Sequence, residues 1–167
     1  MANLTAQLNS IDRKLLAVLS FGLLLSMFGL YVELKHDSNE SYVALCDISQ
    51  SVSCSAAFTS KFGKGFGLLP EAVAFKNPIF GICFYIFLMA LVVSCKCKLS
   101  TQLLLVMSLI SNFGSIYLAY ILAVVLKVLC VVCIGIYVVN ITTFVLAYKR
   151  YNIVKQICLI ESCKKSS

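Results

Sequence analysis

"LSTQLLLVMSLISNFGSIYLAYILAVVLKVLCVVCIGIYVVNITTFVLAY", residues 99–148, contains a single charged residue, Lys127. No bilayer is thick enough to hold such a stretch as one straight helix. Leu99 to Leu126 and Val128 to Tyr148 each reach the roughly 20 residues that a hydrocarbon core requires. A tight turn around Leu126–Val128 therefore joins two antiparallel spans. A Cys-x-x-Cys pair, Cys130 and Cys133, lies among the apolar residues of the second.

Leu15 to Val32 and Asn77 to Cys95 are also free of charge. The chain is 60% hydrophobic and 13% charged, whereas ordinary soluble domains carry roughly 25% charged residues. These features predict an all-α integral membrane protein built as a four-transmembrane-helix bundle. One domain, 1–167, has spans at about 14–32, 78–95, 101–126 and 129–148. A loop, 33–77, caps the bundle between helices 1 and 2, and 149–167 form a tail. The first run is not read as a signal peptide: it exceeds a typical h-region, and no small-residue cleavage site follows.

In this four-span arrangement Arg13, Lys14, Lys96, Lys98, Lys149, Arg150, Lys155, Lys164 and Lys165 fall on one face of the membrane, which the positive-inside rule makes cytoplasmic. The loop on the other face balances Lys35, Lys61, Lys64 and Lys76 against Glu33, Asp37, Glu40, Asp47 and Glu71. The net charge of +7 is thus a topology signal and not a nucleic-acid footprint. Lys164-Lys165-Ser166-Ser167 looks like a dilysine retrieval tail, so the expected location is the endoplasmic reticulum membrane, multi-pass, with both termini cytoplasmic. The loop then faces the lumen, where disulfides persist.

The loop carries Cys46 and Cys54, and Cys130 and Cys133 open the fourth span on the same side. The Cys-x-x-Cys spacing puts both sulfurs on one helix face, within disulfide reach. A helix N-terminus and Lys127 beside them favour a thiolate, the attacking species in thiol–disulfide exchange. The bland alternative is two buried cysteines packing as small apolar residues. Cys83, Cys95, Cys97, Cys158 and Cys163 fall in the second span, on the cytosolic turn or in the tail. They read as small hydrophobes, reduced thiols or lipidation sites. No metal is expected, because structural zinc takes four N or S ligands and the one histidine, His36, has no Cys or His close by. Haem attachment is excluded by Ile134 after Cys133.

The segments "LCDISQSVSCSAAF", "GKGFGLL", "NPIFGICFY", "GSIYLAYIL" and "CVVCIGIYVVN" together resemble the vitamin K epoxide reductase family over roughly residues 10–151. "LCD", "CSAA", "YLAYIL" and "YKR" look most like its vertebrate epoxide-reductase-like paralogue. The resemblance implies a quinone site near the lumenal face under the loop, with vitamin K quinone and vitamin K 2,3-epoxide as substrates. It implies no permanently bound cofactor beyond redox-active disulfides, and it marks the chain as a relative of a coumarin anticoagulant target.

Carried over residue by residue, the resemblance makes Cys133 the thiolate that attacks substrate and Cys130 its disulfide partner. Cys54 exchanges with Cys130, and Cys46 takes electrons from a lumenal thioredoxin-like, protein disulfide isomerase-type donor. Asn77 and Tyr137 match the polar groups that hold substrate oxygens, and Phe58, Phe62, Phe80, Phe84, Leu118 and Leu122 match the pocket wall. Tyr137 is one helical turn beyond Cys133 and so shares its face. Asn77 also suits a helix N-cap, with Pro78 at the first helical position.

The segment between Leu68 and Asn77 is shorter than the family pattern, and Phe62 stands where tryptophan is common. No fused thioredoxin-like domain is recognisable, which implies a separate partner. The function expected is thiol-dependent reduction in support of the vitamin K cycle and gamma-carboxylation, with lipid and substrate as partners and no nucleic acid. Two rivals remain: a quinone-dependent thiol oxidase using the same four cysteines, and a four-span scaffold stabilised by Cys46–Cys54. The second has no need of Cys130 and Cys133.

Overall fold

The computed structural model describes residues 2–39, 43–44, 46–49, 52–67, 75–94 and 97–166, with side chains described up to residue 160. Cys95, Lys96, the segment 68–74 and the side chains of Cys163, Lys164 and Lys165 lie outside the described residues. Among the described residues, four helices are long and apolar enough to cross a membrane. They are α1 (Ala2–Ser38), α3 (Asn77–Ser94), α4 (Lys98–Tyr120), which continues as a π-helical turn (Ile121–Leu126), and α5 (Val131–Ser166). A six-residue helix, α2 (Cys54–Thr59), lies in the loop between α1 and α3.

At 1.5 Å per residue, α1 is about 55 Å long and overruns a hydrocarbon core of about 30 Å. It runs past the expected span at both ends, and α5 likewise carries the expected tail as continuous helix. The turn between α4 and α5 falls where the lone charge suggests. Lys127 takes a left-handed conformation (φ 54°), and Val128 N–H donates to Leu122 O at 3.1 Å.

Lipid offers no hydrophobic drive between helices, so close packing must come from small residues that let backbones approach. Gly22 does this on α1: a Cβ there would sit 2.6 Å from Tyr85 Cζ of α3 and 2.9 Å from Val139 Cγ1 of α5. On α5, a Cβ at Gly135 would meet Leu25 Cδ1 of α1 at 2.9 Å. Meanwhile Phe21, Leu24, Ile86, Phe87, Phe113 and Ile116 point outward, as lipid-facing residues do.

Two apolar clusters result. One joins Leu15, Leu19, Tyr85, Leu88, Leu104 and Val139 in the middle and far half of the bundle. The other gathers Val32, Ala44, Cys54, Phe58, Cys130 and Val132 at the loop end.

Arg150 departs from its expected role as a solvated topology charge, being fully buried at the end opposite the loop. Its Nε donates to Asp12 Oδ1 at 2.8 Å, Nη1 to Thr101 Oγ1 at 2.7 Å and Nη2 to Val92 O at 3.4 Å. One guanidinium thus ties α5 to α1, α4 and α3. A planar fork of five donors suits that task, and a lysine would not. At the loop end, Lys76 Nζ lies 3.1 Å from Glu33 Oε1 and also pairs with Asp37, fixing the start of α3 to the end of α1.

Candidate active site

The loop that carries Cys46 and Cys54 is organised around one carboxylate. Asp47 accepts from Ala44 N–H (2.9 Å), Ser53 Oγ–H (2.8 Å), Ser55 N–H (3.0 Å) and Ser55 Oγ–H (2.6 Å). Burial pushes this carboxyl up, but those hydrogen bonds, led by the two from Ser55, outweigh it and hold the pKa at about 2. Ser53 also caps α2 by accepting from Ala56 N–H at 3.1 Å. With both ends of the segment pinned, Cys46 and Cys54 form a disulfide across 5.8 Å between Cα atoms.

The loop then runs beside the start of α5. Ser53 N–H donates to Leu129 O at 3.0 Å, and Val52 bridges to Leu129. The residues just beyond this contact, Cys54 and Cys130, are both fully buried and share the loop-end cluster. Cys130 sits one residue before α5 and is not inside its first turn. Its sulfur accepts Cys133 N–H at 3.2 Å, and its carbonyl accepts the first helical hydrogen bond, from Ile134 N–H at 3.0 Å. Cys130 and Cys133 are both thiols in this structure. Of the other cysteines, Cys83 faces outward as a thiol, and Cys97 is disulfide-bonded, a departure from the expected small hydrophobe, reduced thiol or lipidation site.

Below the loop lies a cavity of about 580 Å³, within the usual range for small-molecule sites. Cys133 lines it, and so does every side chain that the resemblance assigns to substrate: Asn77, Tyr137, Phe58, Phe62, Phe80, Phe84, Leu118 and Leu122. Cys130, Cys46 and Cys54 do not line it. The dithiol therefore has two aspects: Cys133 faces the cavity, and Cys130 faces the loop disulfide.

The roof is set by close-approaching and left-handed backbone built around glycines. A Cβ at Gly63 would lie 1.9 Å from Phe58 O. Gly65, Phe66 and Gly67 are all left-handed (φ 55°, 58° and 69°), a costly run for residues with a side chain. This bend aims Phe66 into the cavity roof, where its ring packs 5.5 Å from that of Phe80. The start of α3 latches the bend: Asn77 Oδ1 accepts Phe66 N–H at 2.9 Å, and Asn77 Nδ2 donates to Phe62 O at 2.6 Å. Tyr117 OH donates to Phe66 O at 3.3 Å from α4. The Asn77 carboxamide is thus already engaged by the roof. Tyr137 OH is buried and has no hydrogen-bond partner.

Sequence reasoning missed the cavity's polar inner wall. Tyr85 OH donates to Asn140 Oδ1 at 3.0 Å, Asn140 Nδ2 donates to Ser115 Oγ at 2.8 Å, and all three residues line the cavity. Asn140 reads in sequence as part of a glycosylation sequon inside the membrane. Its spacing from Tyr137, three residues along one helix, is the signal that it shares that face.

Residues 14–148 match the Vitamin K epoxide reductase family. The chain is 38% identical over 142 residues to "Vitamin K epoxide reductase complex subunit 1" of Rattus norvegicus, covering 81% of this chain and 87% of that protein. The protein of the same name from Mus musculus is 37% identical over the same lengths. A match across nearly the whole of the four-helix region makes this chain a member of the vitamin K epoxide reductase family, with an oxidoreductase function of that type.

Proposed function

We propose that the protein reduces vitamin K 2,3-epoxide and vitamin K quinone with the Cys130–Cys133 dithiol. The loop cysteines Cys46 and Cys54 return electrons to it from a lumenal thioredoxin-like, protein disulfide isomerase-type donor. The observation that carries this reading is the two-faced dithiol, with one sulfur on an apolar cavity and its partner packed among the residues that hold the loop disulfide. The same reading places the protein in the endoplasmic reticulum membrane with both termini cytoplasmic, supplying the vitamin K cycle and gamma-carboxylation.

In the epoxide reaction, Cys133 thiolate opens the ring by attack on carbon, and the oxygen is protonated. Cys130 thiolate then attacks the Cys133 sulfur. The carbon–sulfur bond breaks, a disulfide forms, and the former epoxide oxygen leaves as water. Two thiols thereby give up two electrons and two protons. With the quinone, the same two electrons and two protons yield the hydroquinone. Tyr137 OH, buried and unpartnered on the cavity wall, supplies a donor to the developing oxyanion.

Cys54 thiolate next attacks Cys130 sulfur and Cys133 leaves as thiolate. Cys46 then attacks Cys54, which frees Cys130 and closes Cys46–Cys54. The pairing in the structure, loop oxidised and membrane pair reduced, corresponds to the end of that sequence.

The test is turnover of vitamin K epoxide and quinone by detergent-purified protein with dithiothreitol, which bypasses the loop. Wild type and the Cys46→Ala/Cys54→Ala variant should both be active, and Cys133→Ala should be dead. Normal turnover by Cys133→Ala overturns the mechanism.

A further inference from the structure

A serine in a transmembrane helix usually returns its hydroxyl hydrogen to a carbonyl of its own helix, because lipid offers nothing else. Ser94, Ser108, Ser111 and Ser115 all do so, at 2.5–2.9 Å. Ser26 of α1 is an exception: it is 1% exposed, and its Oγ has no hydrogen-bond partner. Leaving a buried hydroxyl unsatisfied is destabilising, because its desolvation is not offset by a hydrogen bond.

Ser26 is also where the cavity reaches α1. Among the described residues, the buried polar atoms without a partner that line the cavity are Ser26 Oγ and Tyr137 OH. The hydroxyl reaches it because Gly81 stands opposite: a Cβ at Gly81 would lie 2.7 Å from Ser26 Oγ. Gly81 lines the cavity too. The glycine is a window in α3 through which a hydroxyl of α1 meets the cavity.

A para-quinone or its epoxide carries two carbonyl oxygens on opposite edges of one ring, so full recognition takes two donors. Tyr137 provides one. The Asn77 carboxamide is engaged by the roof, and Asn140, Tyr85 and Ser115 are engaged with one another. We propose that Ser26 is a substrate-positioning residue whose hydroxyl, exposed through the Gly81 window, donates to a ring oxygen of the quinone or epoxide. This rests on the function proposed above and deepens it, adding a recognition group from α1.

The test uses detergent-purified wild type and the variants Ser26→Ala, Ser26→Thr and Gly81→Ala, probed with a naphthoquinone bearing an isoprenoid tail and with its epoxide. Turnover with dithiothreitol gives KM and kcat, and the quinone-induced rise in Tm gives Kd. A net hydrogen bond of about 0.5–1.5 kcal/mol corresponds to roughly 2- to 10-fold in affinity. Ser26→Ala should raise KM and Kd by that factor with the ligand-free Tm held or raised, and Ser26→Thr should restore both. Gly81→Ala should mimic Ser26→Ala, because its methyl occupies the window.

Unchanged KM and Kd in Ser26→Ala, in a protein whose wild type binds the quinone, overturn the proposal alone. A fall in ligand-free Tm with unchanged Kd overturns it in favour of helix packing. If wild type binds the quinone but does not reduce it, the reductase reading fails while Ser26 is still judged on Kd. If wild type does neither, both fall together.

Discussion

The backbone N–H of Cys133 points at the sulfur of Cys130, 3.2 Å away. That contact makes Cys130 the N-cap of α5, so one sulfur both ends a helix and stands ready to close a disulfide. The two cysteines are therefore not equivalent. On the mechanism proposed above, Cys130→Ser should keep the cap through its hydroxyl and lose the resolving thiol, whereas Cys133→Ser should lose the attack itself. Mass spectrometry after incubation with quinone should show a covalent adduct on Cys133 in Cys130→Ser and none in Cys133→Ser. Absence of adduct in both would remove Cys133 as the nucleophile.

Asp47 predicts an acid limit for the loop. Its pKa is depressed from the ordinary 3.8 to about 2, so its contribution is complete above 3.8 and is lost as the pH falls toward 2. The lost interaction is the set of four hydrogen bonds that ties Asp47 to Ala44, Ser53 and Ser55 beside the disulfide. Asp47→Ala should reproduce that loosening at neutral pH. The measurement is the rate at which a phosphine reductant opens Cys46–Cys54. It should be several-fold faster in Asp47→Ala at pH 7, and in wild type it should accelerate only inside the acid window.

Arg150 predicts the opposite kind of dependence, on charge pairing and not on pH. Removing one partner of a buried pair costs roughly 3–5 kcal/mol because the other charge is left unpaired. Arg150→Met leaves Asp12 in that position, with partial access to water, so a loss near the lower end is expected. Adding Asp12→Asn removes the orphaned charge and should recover part of the lost Tm in detergent. A double variant no more stable than Arg150→Met would show that the pairing with Asp12 is not what the arginine contributes, leaving its hydrogen bonds to Thr101 and Val92 and its packing.

The parts legible in sequence were those that lipid dictates. Four charge-free runs become four helices, because hydrocarbon tolerates few charges and no unsatisfied backbone. Two spans separate Cys46 and Cys54 from Cys130 and Cys133, and two crossings return the chain to the same face, so all four gather at one end. What stayed illegible depends on which face a residue turns inward. Lys149 and Arg150 read alike in sequence, yet one is exposed and the other buried. Asp47 reads as one more loop acid until Ser53 and Ser55 fold back onto it. Ser26 and Ser20 read alike in sequence, yet Ser26 is buried opposite Gly81, a relationship between helices that no local pattern carries. The helix ends ran long because α1 and α5 continue into water, where hydropathy gives no further signal.

Gly114 separates the cavity's role from its packing. It lines the cavity on α4, and a Cβ there would meet nothing within 4 Å, in contrast to Gly22, where a Cβ would collide with Tyr85. A phenylalanine at 114 meets no clash, and because Gly114 borders the cavity its ring is expected to narrow the space that the ligand is proposed to fill. Exchanging a helical glycine for a side chain also gains up to about 1 kcal/mol in helix propensity, so Gly114→Phe should hold or raise Tm. Its KM for the naphthoquinone should rise about tenfold or more. Gly22→Val should instead lower Tm, because its methyl groups separate α1 from α3 and α5. If Gly114→Phe keeps a wild-type KM, the cavity is not where substrate binds, whatever its lining residues suggest.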